Sequence, residues 1–209
     1  MGVYVGFDPG GIGAFGWAVV SGDALPMRIM GHGVVSHAEG AFSAAIKCAG
    51  QQIDGVGIDA PLFWSLAGDR NADQRLRRVI TRLGCPGGTV GHVNALRGAC
   101  LIQGMLVAMK CREKLGQVPI TESHPKALLW LTGKATKSHR PDAVTFGDLA
   151  DYVSLNGVGA LTDHERDAAL GAVAAFSAVS NKNGWRDLYL LETNPVTPLD
   201  PPPGYWMPI

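Results

Sequence analysis

The sequence predicts an α/β domain built on a mixed sheet, and three observations carry that reading. Two apolar, β-rich runs each end in an acid and a turn signal. Val3-Tyr4-Val5-Gly6-Phe7 leads into Asp8 and Pro9-Gly10-Gly11, and Val56-Gly57-Ile58 leads into Asp59 and Ala60-Pro61. An Ala-rich helical stretch over 38–51 separates them, and a strand–helix–strand order implies a parallel crossover. With 209 residues, 46% of them hydrophobic and 17% charged, the chain is long and apolar enough to bury a core of its own.

The elements follow in order. Residues 14–20 read as a second strand, joined to the first by the short Gly10-Gly11-Ile12-Gly13 turn, and residues 28–36 as a third antiparallel strand. The helix over 38–51 and the strand ending at Asp59 come next. Residues 63–116 hold no clear strand. They offer helices over 71–83 and 95–115, separated by Gly84-Cys85-Pro86-Gly87-Gly88, and so form a helical insertion at about 63–117. Residues 118–121 make a short strand ending in a third acid, Glu122. Helices are expected over 126–131 and 141–154. The stretch 163–180 is the most Ala-rich helix, and Ala168, Ala169, Ala172, Ala174 and Ala175 leave so little bulk that its backbone can lie close to a sheet. The Pro-rich tail from about 194 is expected to wrap the surface as extended chain. With no repeat and no linker, residues 1–209 read as a single domain. Three meandering strands, a helix and then parallel strands is the order of the RNase H-like fold, here with five strands, helices on both faces and the insertion.

No apolar run approaches the ~20 residues of a transmembrane helix. The chain opens straight into strand-like sequence without a signal peptide, so a cytoplasmic protein with no membrane partner is expected. The formal net charge of +0 argues against coating long nucleic acid by bulk electrostatics and leaves room for a local basic face. Cys48, Cys85, Cys100 and Cys111 lack zinc-site spacing and read as reduced thiols, with Cys100 and Cys111 in the core.

Strand ends of an α/β sheet are where ligands bind. Asp8, Asp59 and Glu122 fall at three of them, and Asp167 opens the Ala-rich helix with Asp163 one turn earlier on the same face. Carboxylates gathered there repel one another unless a cation lies between them. Hard oxygen donors suit Mg²⁺ or Mn²⁺, and two such ions would activate a water and stabilise the leaving oxygen of a phosphodiester. Asp8, Asp59, Glu122 and Asp167 are therefore the catalytic candidates, and Asp8, Asp59, Asp163 and Asp167 the metal ligands. A simple turn-capping role is the competing account for any one Asp.

These residues sit in motifs. Gly6-Phe7-Asp8-Pro9-Gly10-Gly11 with Trp17, Ile58-Asp59-Ala60-Pro61-Leu62, Glu122-Ser123-His124-Pro125, and Asp163-His164-Glu165-Arg166-Asp167-Ala168-Ala169 occur in that order. Together they resemble a bacterial and archaeal domain-of-unknown-function family of predicted RNase H-like nucleases. The first motif also resembles the opening strand of Holliday-junction resolvases. The helix bearing Asp73, Arg75 and Arg78 looks like that family's Arg- and Asp-bearing helix. The resemblance implies the fold more firmly than the activity, because the family's nuclease label itself rests on fold. Phe63-Trp64-Ser65-Leu66 departs from the family, which often has a compact glycine turn there.

For substrate, Arg75, Arg78 and Arg82 form a stripe that suits phosphates, against the plainer account of a solvated helix face. His124 lies two residues beyond Glu122 and would orient a water or touch phosphate. Trp64 would stack on a base or act as a hydrophobic lid. His164 reads as a capping or surface residue. The leading expectation is a metal-dependent nuclease with nucleic acid of unknown type as partner and a homodimer left open. Two alternatives remain. One is a phosphotransferase of the actin and sugar-kinase class, cradling phosphates in Gly10-Gly11-Ile12-Gly13. The other is a non-catalytic interaction protein on the same fold.

Overall fold

The computed structural model describes residues 1–209 apart from 51, 67, 94–95, 134–148 and 156. Its elements are β1 (Gly2–Asp8), β2 (Phe15–Gly22), β3 (Met27–Val35), α1 (Ala38–Ala49), β4 (Gly55–Ile58) and β5 (Trp64–Ser65). They continue with α2 (Asn71–Arg82), α3 (Gly98–Leu115), β6 (Ile120–Glu122), α4 (Pro125–Leu131), β7 (Val153–Ser154) and α5 (Asp163–Val179). Three short strands finish the chain, β8 (Arg186–Asp187), β9 (Pro195–Val196) and β10 (Gly204–Met207).

The main sheet runs β7-β3-β2-β1-β4-β6-β10-β8. β1, β2 and β3 meander antiparallel, whereas β4 joins β1 in parallel and β6 joins β4 in parallel. That is the RNase H-like arrangement the element order predicts. The sheet has eight strands rather than five because β7, β10 and β8 are added, β8 lying antiparallel to β10 at the edge. The Pro-rich tail does more than wrap the surface: after Pro203 it enters the sheet as β10, parallel to β6, with Tyr205 and Met207 buried. Residues 153–154, expected as the end of a helix, instead pair with β3 as β7. The rest of the helix expected over 141–154 falls on 141–148, outside the described residues, and on a short turn at 149–152. Within the expected strand-free insertion, Trp64 and Ser65 pair with Pro195 and Val196 as a separate two-stranded ribbon.

Side chains of β1 alternate between two cores, as a pleated strand buried on both faces requires. Val5 and Phe7 pack with α1 and α3, and Tyr4 packs on the α5 side with α2 and α4. On the α5 side the strands are lined with glycine. A Cβ on Gly6 would lie 1.7 Å from the Ala168 carbonyl oxygen, one on Gly57 1.9 Å from that of Gly171, and one on Gly16 2.2 Å from that of His164. The small residues of α5 and the bare strands β1, β2 and β4 thus meet backbone to backbone, as the Ala-rich sequence predicts. The helix start is fixed as well. Thr162 and Glu165 form a reciprocal capping box, and the second Glu165 oxygen meets His32 Nδ1 of β3 at 2.7 Å.

Because the Gly6 clash is with backbone rather than a flexible side chain, Gly6→Ala should destabilise the fold by about 3 kcal/mol or more. Urea denaturation of the variant against the parent measures this.

Candidate active site

The carboxyl ends of the central strands open into one cavity of about 400 Å³. β1 and β4 are in register with Phe7 opposite Ile58, and the Asp59 amide donates to the Phe7 carbonyl at 2.8 Å. Asp8 and Asp59 therefore leave adjacent strands side by side. β6 follows on the other flank of β4, with Ile58 opposite Glu122. Over these strand ends lies the first turn of α5, which brings Asp163, His164, Arg166 and Asp167 to the same cavity. All the acids predicted to converge, Asp8, Asp59, Glu122, Asp163 and Asp167, line it.

They are not equivalent. Asp8 accepts a hydrogen bond from His164 Nδ1 at 2.5 Å. This bond, against the opposing effect of partial burial, holds the His164 imidazole above its usual pKa, and Asp167 and Asp163 add to the shift. The cap of α5 is Thr162, so of the capping or surface role expected for His164 the capping half fails, and its 42% exposed side chain lines the site. Asp167 is gripped by Arg166, with Nε and Nη2 each 2.8 Å from Oδ1. Burial still pushes its carboxyl up to about 6, with Asp8 adding to the rise. Asp163 hangs at the rim, its side chain 73% exposed and 2.9 Å from Arg166 Nη1.

Among the described residues no arginine or histidine side chain pairs with Asp59, and the cation that acts on it is Lys126. Burial pushes its carboxyl well above the ordinary range, Asp8 and Asp167 push it further, and only Lys126 opposes. The Cys100 thiol, held 3.8 Å from the Asp59 carbonyl, is raised to about 12 by burial and then by Asp59, Asp8 and Glu122. Cys100 thus lies at the cavity wall, half-buried, rather than deep in the core like Cys111.

Glu122 differs from the other acids. Arg70, itself 3% exposed, forks onto both its oxygens at 2.7 and 2.8 Å and onto both oxygens of Asp73 at 2.7 and 2.8 Å. The Leu62 amide donates to Glu122 at 3.0 Å. Phe63 and Tyr205 rings flank the guanidinium at 4.4 and 5.7 Å. Burial raises Glu122 against the pull of Arg70, and a bidentate fork needs the ionised carboxylate. For Arg70, burial lowers the pKa, and Glu122 and Asp73 more than reverse it. Glu122 is therefore spent on anchoring α2 to β6.

The substrate candidates scatter. Arg75, Arg78 and Arg82 are exposed on the outer face of α2, away from buried Ala72, Asp73, Leu76 and Ile80. His124 lines the cavity, but burial lowers it to about 4, which leaves a neutral imidazole and no cationic phosphate contact. Trp64, 43% exposed, lines a neighbouring apolar cavity of about 340 Å³ with Phe63, Leu101 and Met105, and Pro61 borders both cavities. The Gly10-Gly11-Ile12-Gly13 turn is not among the residues lining the carboxylate cavity, whereas Gly88, Thr89 and Gly91 are.

Sequence reasoning gave no site role to Arg166, Arg70, Asp73 or Lys126, and only a capping or surface role to His164, although His164, Arg166 and Asp73 stand in the motifs it singled out. His164 carried a signal, since it stands three residues before Asp167 on the same helical face. Among the described residues, no helix is long and apolar enough to cross a membrane.

No family model and no curated protein matches the chain. Among solved structures it is similar to Thermus thermophilus RuvC, at 17% identity and a TM-score of 0.42 over 86% of this chain and 96% of that one. It is also similar to T. thermophilus RuvC in complex with Holliday junction substrate, at 18% identity and a TM-score of 0.36 over 85% and 95%.

Two outcomes follow from these charges. Arg70→Ala strands two buried carboxylates and should cost about 3–5 kcal/mol in urea denaturation. Asp59 and Asp167 have raised folded pKa values, so between the unfolded values near 4 and the folded ones the native state holds more protons than the unfolded state. Their contribution to stability is then lost as pH rises through that window, on the order of 3 kcal/mol for Asp167 alone. Asp59→Asn removes one of these charges. In metal-free buffer its stability relative to the parent should improve from pH 4 to pH 7, as denaturation at the two pH values will show.

Proposed function

We propose that this protein is a metal-dependent RNase H-like nuclease that hydrolyses phosphodiester bonds of nucleic acid. The observation that carries the reading is the meeting of Asp8, Asp59 and Asp167 in one cavity, where Asp59 stays well above the ordinary carboxylate range despite Lys126. A desolvated carboxylate beside two others is the electrostatic arrangement that a divalent cation relieves.

The donor chemistry fits Mg²⁺ or Mn²⁺, which take carboxylate oxygens and keep several waters. Among the described residues no three His, Cys, Asp or Glu side chains stand ready-spaced as a cage. This accords with His164 and Arg166 occupying oxygens of Asp8 and Asp167. Asp59, Asp8 and Asp167 would hold the ion and Asp163 would reach it from the rim. When bound, the metal supplies activation of a water and neutralisation of charge on the leaving oxygen.

The chain's own residues do the rest. Arg166 orients Asp167, and His164 orients Asp8 and, as an imidazolium, carries a proton at Nδ1 beside the cleavage point. Glu122, held by Arg70, fixes the geometry of β6 and the Leu62 loop and is not a ligand. Arg75, Arg78 and Arg82 give the nucleic-acid backbone a cationic face, and Trp64 offers a ring to a base next to the cut.

Mn²⁺- or Mg²⁺-dependent cleavage of branched or single-stranded oligonucleotides tests the reading. Asp8→Asn should reduce cleavage by more than the roughly 100-fold that outer partners of a metal cost, with the fold intact by circular dichroism. A variant as active as the parent would remove Asp8 from the mechanism. Replacing Arg75, Arg78 and Arg82 together with Ala should weaken binding and flatten its salt dependence, by nearly one log–log unit per lost duplex phosphate contact. Unchanged binding and slope would return the stripe to a solvated face.

A further inference from the structure

The side of α3 that faces solvent is not the polar face a surface helix normally presents. The inner side packs into the core through Val107, Ala108 and Cys111. The outer side carries Ile102, Leu106 and Met109, which are 63%, 52% and 49% exposed. With exposed Ala99 and Glu113 at the ends, the outward positions stand three, four, three and four residues apart. That is the narrow seam along which one helix packs on another, with a contact about every 3.5 residues.

The seam is part of a larger apolar surface. Leu106 and Met109 also line a groove of about 650 Å³ between α1 and α3, edged by Glu39, Lys110 and Glu113. Exposed apolar surface rimmed by charge marks a protein–protein contact. The helix also backs the candidate active site. A Cβ at Gly104 would lie 2.4 Å from Ala60 Cβ and 3.6 Å from Pro9 Cγ, so α3 presses on the two loops that leave Asp59 and Asp8.

The charges at the two ends of the seam select the partner. Exposed Arg97 immediately precedes the helix, and exposed Glu113 lies in its last turn, where Lys114 meets it at 2.7 Å. Two copies packed antiparallel bring the Arg97 end of each onto the Glu113 end of the other and oppose the two helix dipoles. A parallel pair would set Arg97 against Arg97 and Glu113 against Glu113. A face complementary to itself in this way fits an isologous two-fold contact, the commonest arrangement among soluble oligomers. We infer that the chain forms a homodimer through antiparallel α3 helices, with the two-fold axis close to Leu106. Association needs neither metal nor nucleic acid, so it stands or falls apart from the nuclease reading.

Sedimentation equilibrium of the full chain, without metal or nucleic acid, tests the inference. The expected result is a monomer–dimer equilibrium whose limiting species has twice the mass of the chain. Leu106→Lys sets two like charges at the axis and should raise the dimer Kd by roughly 10-fold or more. The position is already half exposed, so the variant should keep its fold by circular dichroism. Ile102→Lys, at a still more exposed position one turn away, is the second probe and should act in the same direction. Arg97→Glu and Glu113→Arg should each weaken the dimer by roughly 2- to 5-fold, as loss of an exposed ion pair does, and the two together should restore the parent Kd. A parent that is monomeric at every soluble concentration overturns the inference and leaves the face to an unrelated partner. A dimer that both lysine variants leave intact overturns it as well. A dimer that they disrupt but the double charge exchange does not restore overturns the antiparallel arrangement.

Discussion

The backbone contact between α5 and the glycine-lined strands sets the rest of the molecule. A helix normally rides on a sheet at a distance fixed by its side chains. Here Gly6, Gly16 and Gly57 carry none, and Ala168, Gly171 and Ala172 carry almost none. The helix settles so low that its first turn projects over the carboxyl ends of β1 and β4, bringing His164 onto Asp8 and Asp167 into the same cavity. Bulk at any of these positions would lift the helix and separate the acids. The capping box of Thr162 and Glu165, with His32 beyond it, fixes where that turn begins.

The cavity's carboxylates other than Asp59 each meet a basic side chain directly. Arg70 is shared by Glu122 and Asp73, Arg166 by Asp163 and Asp167, and His164 serves Asp8. Asp59, at the centre, keeps a raised pKa because burial and its neighbours both oppose its charge. An arrangement built only for stability would carry an apolar residue there. Raised carboxylates in a cavity are characteristic of working sites, and structural ion networks such as that of Arg70 sit beside them here for contrast.

Much of this was legible in the sequence, because its strongest signals are local. The strand-then-acid runs at Asp8 and Asp59 and the alanine run of α5 state their own geometry through periodicity and side-chain size. Other features depend on contacts distant in sequence. Arg70 reads like its neighbours Arg75 and Arg78, and only the positions of Glu122, Phe63 and Tyr205 make it a buried anchor. β10 hides behind Pro201, Pro202 and Pro203, whose restraint ends just where the chain turns into the sheet. β5, β7 and β9 are two residues long, too short for any periodicity to register. Glu122 matched a motif and a strand end, yet its partner across the loop gives it a different task.

The central claim is that Asp8, Asp59 and Asp167 form one cation-binding centre. Anomalous diffraction from a crystal soaked in Mn²⁺ tests it most directly. The account predicts a manganese peak coordinated by Asp59 together with Asp8 or Asp167, with Glu122 still on Arg70. Manganese bound at Glu122, or no peak among these carboxylates at saturating metal, would contradict it.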